Sequence, residues 1–319
     1  MSTDIINKLP FKYQRYNISK IESGASSKKI YRLTKDNESV ILINFDSDFN
    51  EYDNYVLIYN ILKEVNVSIP KIIEKDDNNL TVISEDFGDL RYDKVFNKYP
   101  LQKLLLHAVD TLINLNKSIK FNSKYSLPQY NFNVFKSEIQ ELTKYYFPHI
   151  KQVNQDLIDE FFHIWSEAYN QINTEFVSFV HKDFNMNNLI YLPKKIDYLK
   201  CGFIDFQSSF WGESSWDLFS LLEDSRILFT DKHNDYFIEY FYNNTNQNVS
   251  IKEFKLKYYF FNSSRQSRLL GRWVYLSNKL NENWYLNFIP ITKKRLKKSL
   301  INLNNKDLNN FYDRHIFNK

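Results

Sequence analysis

The chain has 319 residues, 43% of them hydrophobic and 25% charged, a balance that marks a folded globular protein and excludes a disordered one. Its net charge of +4 is dispersed, with no basic block, which fits an anionic small ligand at least as well as nucleic acid. The lone cysteine, Cys201, excludes an intramolecular disulfide, and no apolar run reaches the ~18 residues that span a bilayer. The opening MSTDIINKLPFKYQ lacks the apolar core of a signal peptide, so the expectation is a cytoplasmic protein without nucleic-acid or membrane partners, a monomer or weak dimer.

Residues 1–18 read as an N-terminal helix or extension. IYRL (30–33) and SVILINF (39–45) are β-branched and apolar runs separated by the turn-rich TKDNE, a hairpin signature. EYDNYVLIYNILKEV (51–65) repeats Tyr55, Ile58, Tyr59 and Leu62 at helical spacing and stops before the IP pair at 69–70. KIIEKD and LTVISEDF read as two more strands. The first ~90 residues are therefore expected to form an antiparallel sheet carrying one helix. After EDFGDL come amphipathic helices at 101–119, 134–147 and 155–172, the last with Leu157, Ile158, Phe161, Trp165, Ala168, Tyr169 and Ile172 on one stripe. Short strands FVSFV, NLIYL and CGFIDF follow, then helical patterns to the C-terminus. The expectation is an α+β chain of two lobes: a β-rich lobe over 1–88, a helical lobe over 89–319, and a hinge at Ser84–Gly88. Trp211 and Trp216 are expected in the core, and Cys201 is expected to be a small buried residue.

FVHKDFNMNNLIYL (179–192) crowds His181, Asp183, Asn185, Asn187 and Asn188 between two apolar runs, more polar residues than a turn needs. If NLIYL and CGFIDF pair through the lysine-rich PKKIDYLK loop, Asn188 and Asp205 arrive at one end of the hairpin. One neutral oxygen donor and one carboxylate suit a Mg²⁺ that keeps waters and binds phosphates. Asp183, outside that pair, can accept a proton from an attacking hydroxyl, the division of labour of phosphoryl transfer.

The pattern H-x-D-x-x-x-x-N followed by I-D-F resembles the aminoglycoside phosphotransferase and choline kinase superfamily. GFIDFQSSFWGESSWDLFSLLEDSR (202–226), IESGASSKKIYRL (21–33) and VSIPKIIEKDDNNLTVISEDFGD (67–89) are similar to segments of its anomeric N-acetylmuramate and N-acetylglucosamine kinases, and RQSRLLGRWVYL (265–276) is a weaker echo. The resemblance implies a two-lobed protein-kinase-like fold and an ATP- and Mg²⁺-dependent kinase. Its acceptor would be a small-molecule hydroxyl, the anomeric oxygen of an N-acetyl amino sugar in cell-wall recycling. It makes Asp183 the catalytic base and Asn188 and Asp205 the metal ligands, with His181 and Asp217 structural supports of the loop. Gly24, Ser26, Ser27, Lys28 and Lys29 would cover the ATP phosphates, while main-chain groups of Ser84, Glu85 and Asp86 meet adenine in the cleft. Gln207, Asp224 and Arg226 are candidate sugar contacts.

One departure stands out: the strand run VILINF offers Ile43 and Asn44 where kinases of this fold usually place a phosphate-pairing lysine. Lys28, Lys29 or Arg32 could replace it, and Glu51, lacking that partner, is expected on a solvated helix face. Two rivals stay open: a kinase for an aminoglycoside or a choline-type acceptor, and a catalytically silent nucleotide-binding module.

Overall fold

A computed structural model describes residues 9–21, 28–122, 125–227 and 233–318. Gly24, Ser26 and Ser27 lie outside the described residues. The chain packs into two compact units, residues 1–111 with 187–208, and residues 112–186 with 209–319. This is a division by packing, whereas the expected boundary at 88–89 divides the chain by element type.

The first unit is built on a five-stranded antiparallel sheet of β1 (Asn17–Ile21), β2 (Lys29–Lys35), β3 (Glu38–Asn44), β4 (Ile72–Asp76) and β5 (Thr81–Glu85), in the order β1-β2-β3-β5-β4. Period-two alternation sends Tyr31, Leu33, Leu42 and Ile83 to one face, where they pack with Leu9, Tyr13 and Tyr16. Beyond the sheet, Phe45 meets Tyr52 and Tyr55 of helix α1 (Phe49–Leu62). The expected β2–β3 hairpin and its helix are present. Of the N-terminal helix or extension expected over 1–18, residues 1–8 lie outside the described residues, while 11–13 form one 3₁₀ turn and 17–21 an edge strand. NISKI carries only two apolar residues, too few for a periodic signal, and is recruited by pairing with β2.

The chain then runs through the short helix α2 (Tyr92–Val95) into α3 (Leu101–Ser118). The hairpin β7 (Leu189–Tyr191) with β8 (Cys201–Phe203) also belongs to the first unit. It is held by the Ser68 hydroxyl donating to the Leu199 carbonyl at 2.7 Å, the Phe203 N–H to Ser68 O at 3.1 Å, and the Tyr191 N–H to Leu90 O at 2.8 Å. Gly202 permits this docking, since a Cβ there would sit 2.8 Å from the Phe87 ring. Cys201 is buried as expected, and burial pushes its thiol up to about 12.

The second unit is helical: α4 (Phe132–Glu141), α5 (Phe147–Ile150), α6 (Gln155–Asn170), α7 (Trp216–Leu222), α8 (Asn234–Asn244), α9 (Ile251–Leu280), α10 (Ile289–Leu303) and α11 (Lys306–Tyr312), with a two-stranded ribbon of β6 (Ser178–Val180) and β9 (Phe210–Gly212). Helix α6 buries Leu157, Phe161, Trp165 and Ala168, four of the expected stripe, and Trp211 and Trp216 are core residues. The expected helix at 134–147 is interrupted by a π-turn over 142–146. Its start coincides with the close approach of Gly271 on α9 to the Glu141 carbonyl, a contact that any side chain at 271 would overlap. Because that obstacle is rigid backbone, Gly271→Ala should lower unfolding stability by about 1–3 kcal/mol. Urea denaturation measures this, and an unchanged midpoint would mean the backbones are not in contact.

Candidate active site

The β7–β8 register brings Asn188 and Asp205 together. Leu189 pairs with Phe203, and the Ile204 N–H donates to the Asn188 carbonyl at 3.0 Å, so both residues leave the hairpin at one end. Asp205 has φ +70°, a left-handed turn that Asp tolerates better than most side chains. The next residues dock on α1. Glu51 and Tyr55 are four apart on that helix and so share a face, with Tyr55 stacked on Phe206 at 4.7 Å.

Glu51 follows the same direction. Its Oε1 accepts from Gln207 Nε2 at 3.0 Å and lies 3.7 Å from Lys28 Nζ; Gln207 Nε2 also donates to Asp205 Oδ1 at 3.2 Å. Lys28 in turn forms a direct ion pair with Asp205. The lysine side chain is only 3% exposed, against 19% for Glu51 and 36% for Asp205, so the cation is the buried member. This corrects the solvated placement expected for Glu51. Gln207, read as a sugar contact, sits in this ionic cluster.

Lys29, by contrast, points to solvent and pairs with Asp46 at 2.9 Å. Arg32 is held by two carboxylates that follow β5: its Nε lies 2.7 Å from Asp86 and its Nη2 2.8 Å from Asp89. The Asp86 carboxylate also accepts from the Ser39 hydroxyl at 2.5 Å and the Gly88 N–H at 2.8 Å. Burial acts to raise its pKa, but Ser39, Gly88 and Arg32 together hold it below the usual carboxylate value. The side chain of Asp86 thus braces the segment that follows β5. Ser84 is buried within β5, and the Glu85 N–H donates to Lys71 O at 2.9 Å.

Asp183 belongs to the second unit, five positions before Asn188. Its loop is fixed by the buried Asp217, whose carboxylate accepts the His181 N–H at 2.6 Å and the Lys182 N–H at 3.0 Å. These bonds hold Lys182 at φ +81° and set the direction of Asp183. Burial raises Asp217 to about 7, against the pull of the two backbone donors. The His181 ring is buried edge-on to Phe184, and Asn185 donates to the Asp183 carbonyl through its N–H at 2.9 Å and its amide at 3.0 Å. Asp224 and Arg226 form a two-bond ion pair at 2.8 and 2.9 Å in this unit. Burial acts to raise Asp224, but Arg226 holds it below the usual value.

Sequence reasoning did not single out Arg265 of α9. It is buried, its pKa is pushed down to about 10 by burial, and Asp224 and Asp183 are the charges that oppose that shift. It opens the segment RQSRLLGRWVYL, whose weak family echo did not mark this residue from its neighbours; its place on α9 buries it.

One amide and one carboxylate from the same hairpin end are a donor set that fits a Mg²⁺ completed by phosphate and water. Among the described residues no group of three or more His, Cys, Asp or Glu could form a self-sufficient cage.

Asp217→Asn keeps the shape but turns an NH₂ toward one of the two loop N–H groups. It should lower unfolding stability by about 1–3 kcal/mol. Urea denaturation measures the loss, and an unaltered midpoint would show that the carboxylate does not brace the loop.

Comparison with known proteins bears on this geometry. The ecdysteroid kinase-like family matches residues 116–253. An N-acetylmuramate/N-acetylglucosamine kinase of Neisseria meningitidis is 23% identical over 221 residues, 66% of this chain and 63% of that protein. The chain therefore spans less than two thirds of that relative's length. Among solved structures, a choline/ethanolamine kinase family protein from Mesorhizobium loti superposes with TM-score 0.63 at 12% identity, covering 97% of this chain and 96% of that one. An ADP-bound aminoglycoside phosphotransferase gives TM-score 0.61 at 16% identity over 95% and 99%. No helix among the described residues is long and apolar enough to cross a membrane. The resemblance drawn from HKDFNMNN and GFIDFQ holds: the chain has the kinase-like α+β fold of the choline kinases and aminoglycoside phosphotransferases, and in sequence it is similar to the N-acetylmuramate/N-acetylglucosamine kinases.

Proposed function

We propose that this chain is an ATP-dependent small-molecule kinase that phosphorylates the anomeric hydroxyl of an N-acetyl amino sugar, N-acetylmuramate or N-acetylglucosamine, in cell-wall recycling in the cytoplasm. The observation that carries the proposal is the hairpin end shared by Asn188 and Asp205, beside the buried Lys28 and its partner Glu51. The similarity to a named N-acetylmuramate/N-acetylglucosamine kinase supports the acceptor class.

In this reading Asn188 and Asp205 hold Mg²⁺, which would neutralise charge on the nucleotide phosphates when bound. Main-chain groups of Ser84, Glu85 and Asp86 receive adenine, and Lys28 approaches the phosphates. Asp183 orients the acceptor hydroxyl and takes its proton. The brace from Asp217 limits the directions that the Asp183 loop can adopt, which suits a reaction whose catalysis is mostly positioning. Asp224 and Arg226 are the candidate sugar contacts, whereas Gln207 serves the ionic cluster.

The test is ADP release with a panel of N-acetyl amino sugars, choline and aminoglycosides, followed by phosphorus NMR of the product. A signal from a sugar 1-phosphate is expected. Turnover confined to choline or an aminoglycoside would replace the acceptor assignment, and no turnover on any acceptor would favour the silent-module reading. Asp183→Asn should lower turnover by about 10²–10⁴-fold while the protein stays folded. An unchanged rate would remove Asp183 from the chemistry.

A further inference from the structure

The strand β3 positions that would carry a phosphate-pairing lysine hold Ile43 and Asn44. In the sheet, Asn44 pairs with Lys29 and Ile43 with Ile30. Lys28 is therefore the residue just before β2, beside the end of β3, and its side chain needs to cross only one inter-strand spacing to stand where a β3 lysine would reach. Its ammonium is buried between Glu51 of α1 and Asp205, while Lys29 and Arg32 are occupied by Asp46 and by Asp86 and Asp89.

We propose that Lys28, supplied from the neighbouring strand, is the phosphate-contacting cation of this chain, and that before nucleotide arrives its ammonium is the counterion of Asp205. The inference rests on the kinase reading above and extends it to the order of events. Asp205 cannot serve a divalent ion fully while it is paired with Lys28. Loading of metal and nucleotide exchanges one cation for another: the carboxylate turns to the metal, and Lys28, still tethered by Glu51, turns to the phosphates. Such an exchange avoids an uncompensated carboxylate in the empty site and an uncompensated ammonium in the loaded one. It also makes metal and nucleotide bind cooperatively, because neither alone releases both partners of the ion pair.

The exchange predicts opposite effects of one substitution. Lys28→Met should tighten Mn²⁺ binding in the absence of nucleotide by about 3- to 30-fold, read by electron paramagnetic resonance, since Asp205 loses its competitor. The same variant should weaken binding of Mg²⁺–ATP by about 10- to 1,000-fold, read by titration calorimetry. Lys28→Arg should restore part of both. Lys75→Met, at an exposed lysine paired with Asp77 on β4, controls for net charge and should change neither. Lys28→Gln repeats the measurement if the methionine variant does not fold.

Mn²⁺ affinity unchanged by loss of Lys28 would overturn the counterion role. Undiminished ATP affinity in Lys28→Met, with the loss appearing in Lys29→Met instead, would overturn the phosphate role. If the wild type binds no nucleotide at all, the kinase reading and with it the phosphate role fall, while the Mn²⁺ result still decides the pairing of Lys28 with Asp205.

Discussion

A buried ammonium shared by two carboxylates is the constraint that ties the first unit's elements together. Lys28 is almost wholly enclosed, and a charge in that position persists only with compensation close by. Glu51 and Asp205 supply it, and each comes from a different piece of chain, one from the first turn of α1 and one from the end of the β7–β8 hairpin. The ion cluster thereby ties sheet, helix and hairpin together at the point where Asn188 also emerges. The apolar contacts around it serve the same end: Tyr55 stacks on Phe206, and Phe87 packs against the bare backbone of Gly202.

The second unit contributes a different device. Asp217 receives two consecutive backbone N–H groups from the loop that bears Asp183, and the second donor, Lys182, takes a positive φ just before Asp183. A carboxylate that fixes a loop by its backbone leaves the loop's own side chains available for chemistry. Around it, Asp224 with Arg226 and the buried Arg265 form a region of dense, nearly balanced charge.

Periodicity made the β2–β3 hairpin, α1 and the amphipathic stripe of α6 readable from the residues, since each carries enough apolar positions to fix its period. The β7–β8 pairing, and with it the meeting of Asn188 and Asp205, was readable because two short apolar runs flank a polar loop. Strand β1 escaped notice because Ile18 and Ile21 are too few to alternate, and β9 because FWG is only three residues long. The π-turn at 142–146 has no signature of its own; it accompanies the approach of Gly271 from a helix more than a hundred positions away. Glu51 was misread for a related reason. Its partner is not on β3, where spacing along one strand would place it, but before β2, and only the cross-strand register brings Lys28 beside the end of β3. The side-chain partners of Asp86 (Arg32, Ser39 and the Gly88 N–H) carry no local sequence signature, because Arg32 and Ser39 reach it from β2 and β3.

The most direct test of the account is a crystal structure with a non-hydrolysable ATP analogue and Mg²⁺. The account predicts a divalent ion bound by the Asn188 amide oxygen and the Asp205 carboxylate, with the Lys28 ammonium moved from Asp205 onto phosphate oxygens and still beside Glu51. A metal held elsewhere, or Lys28 still paired with Asp205 while the phosphates are neutralised by another residue, would contradict it.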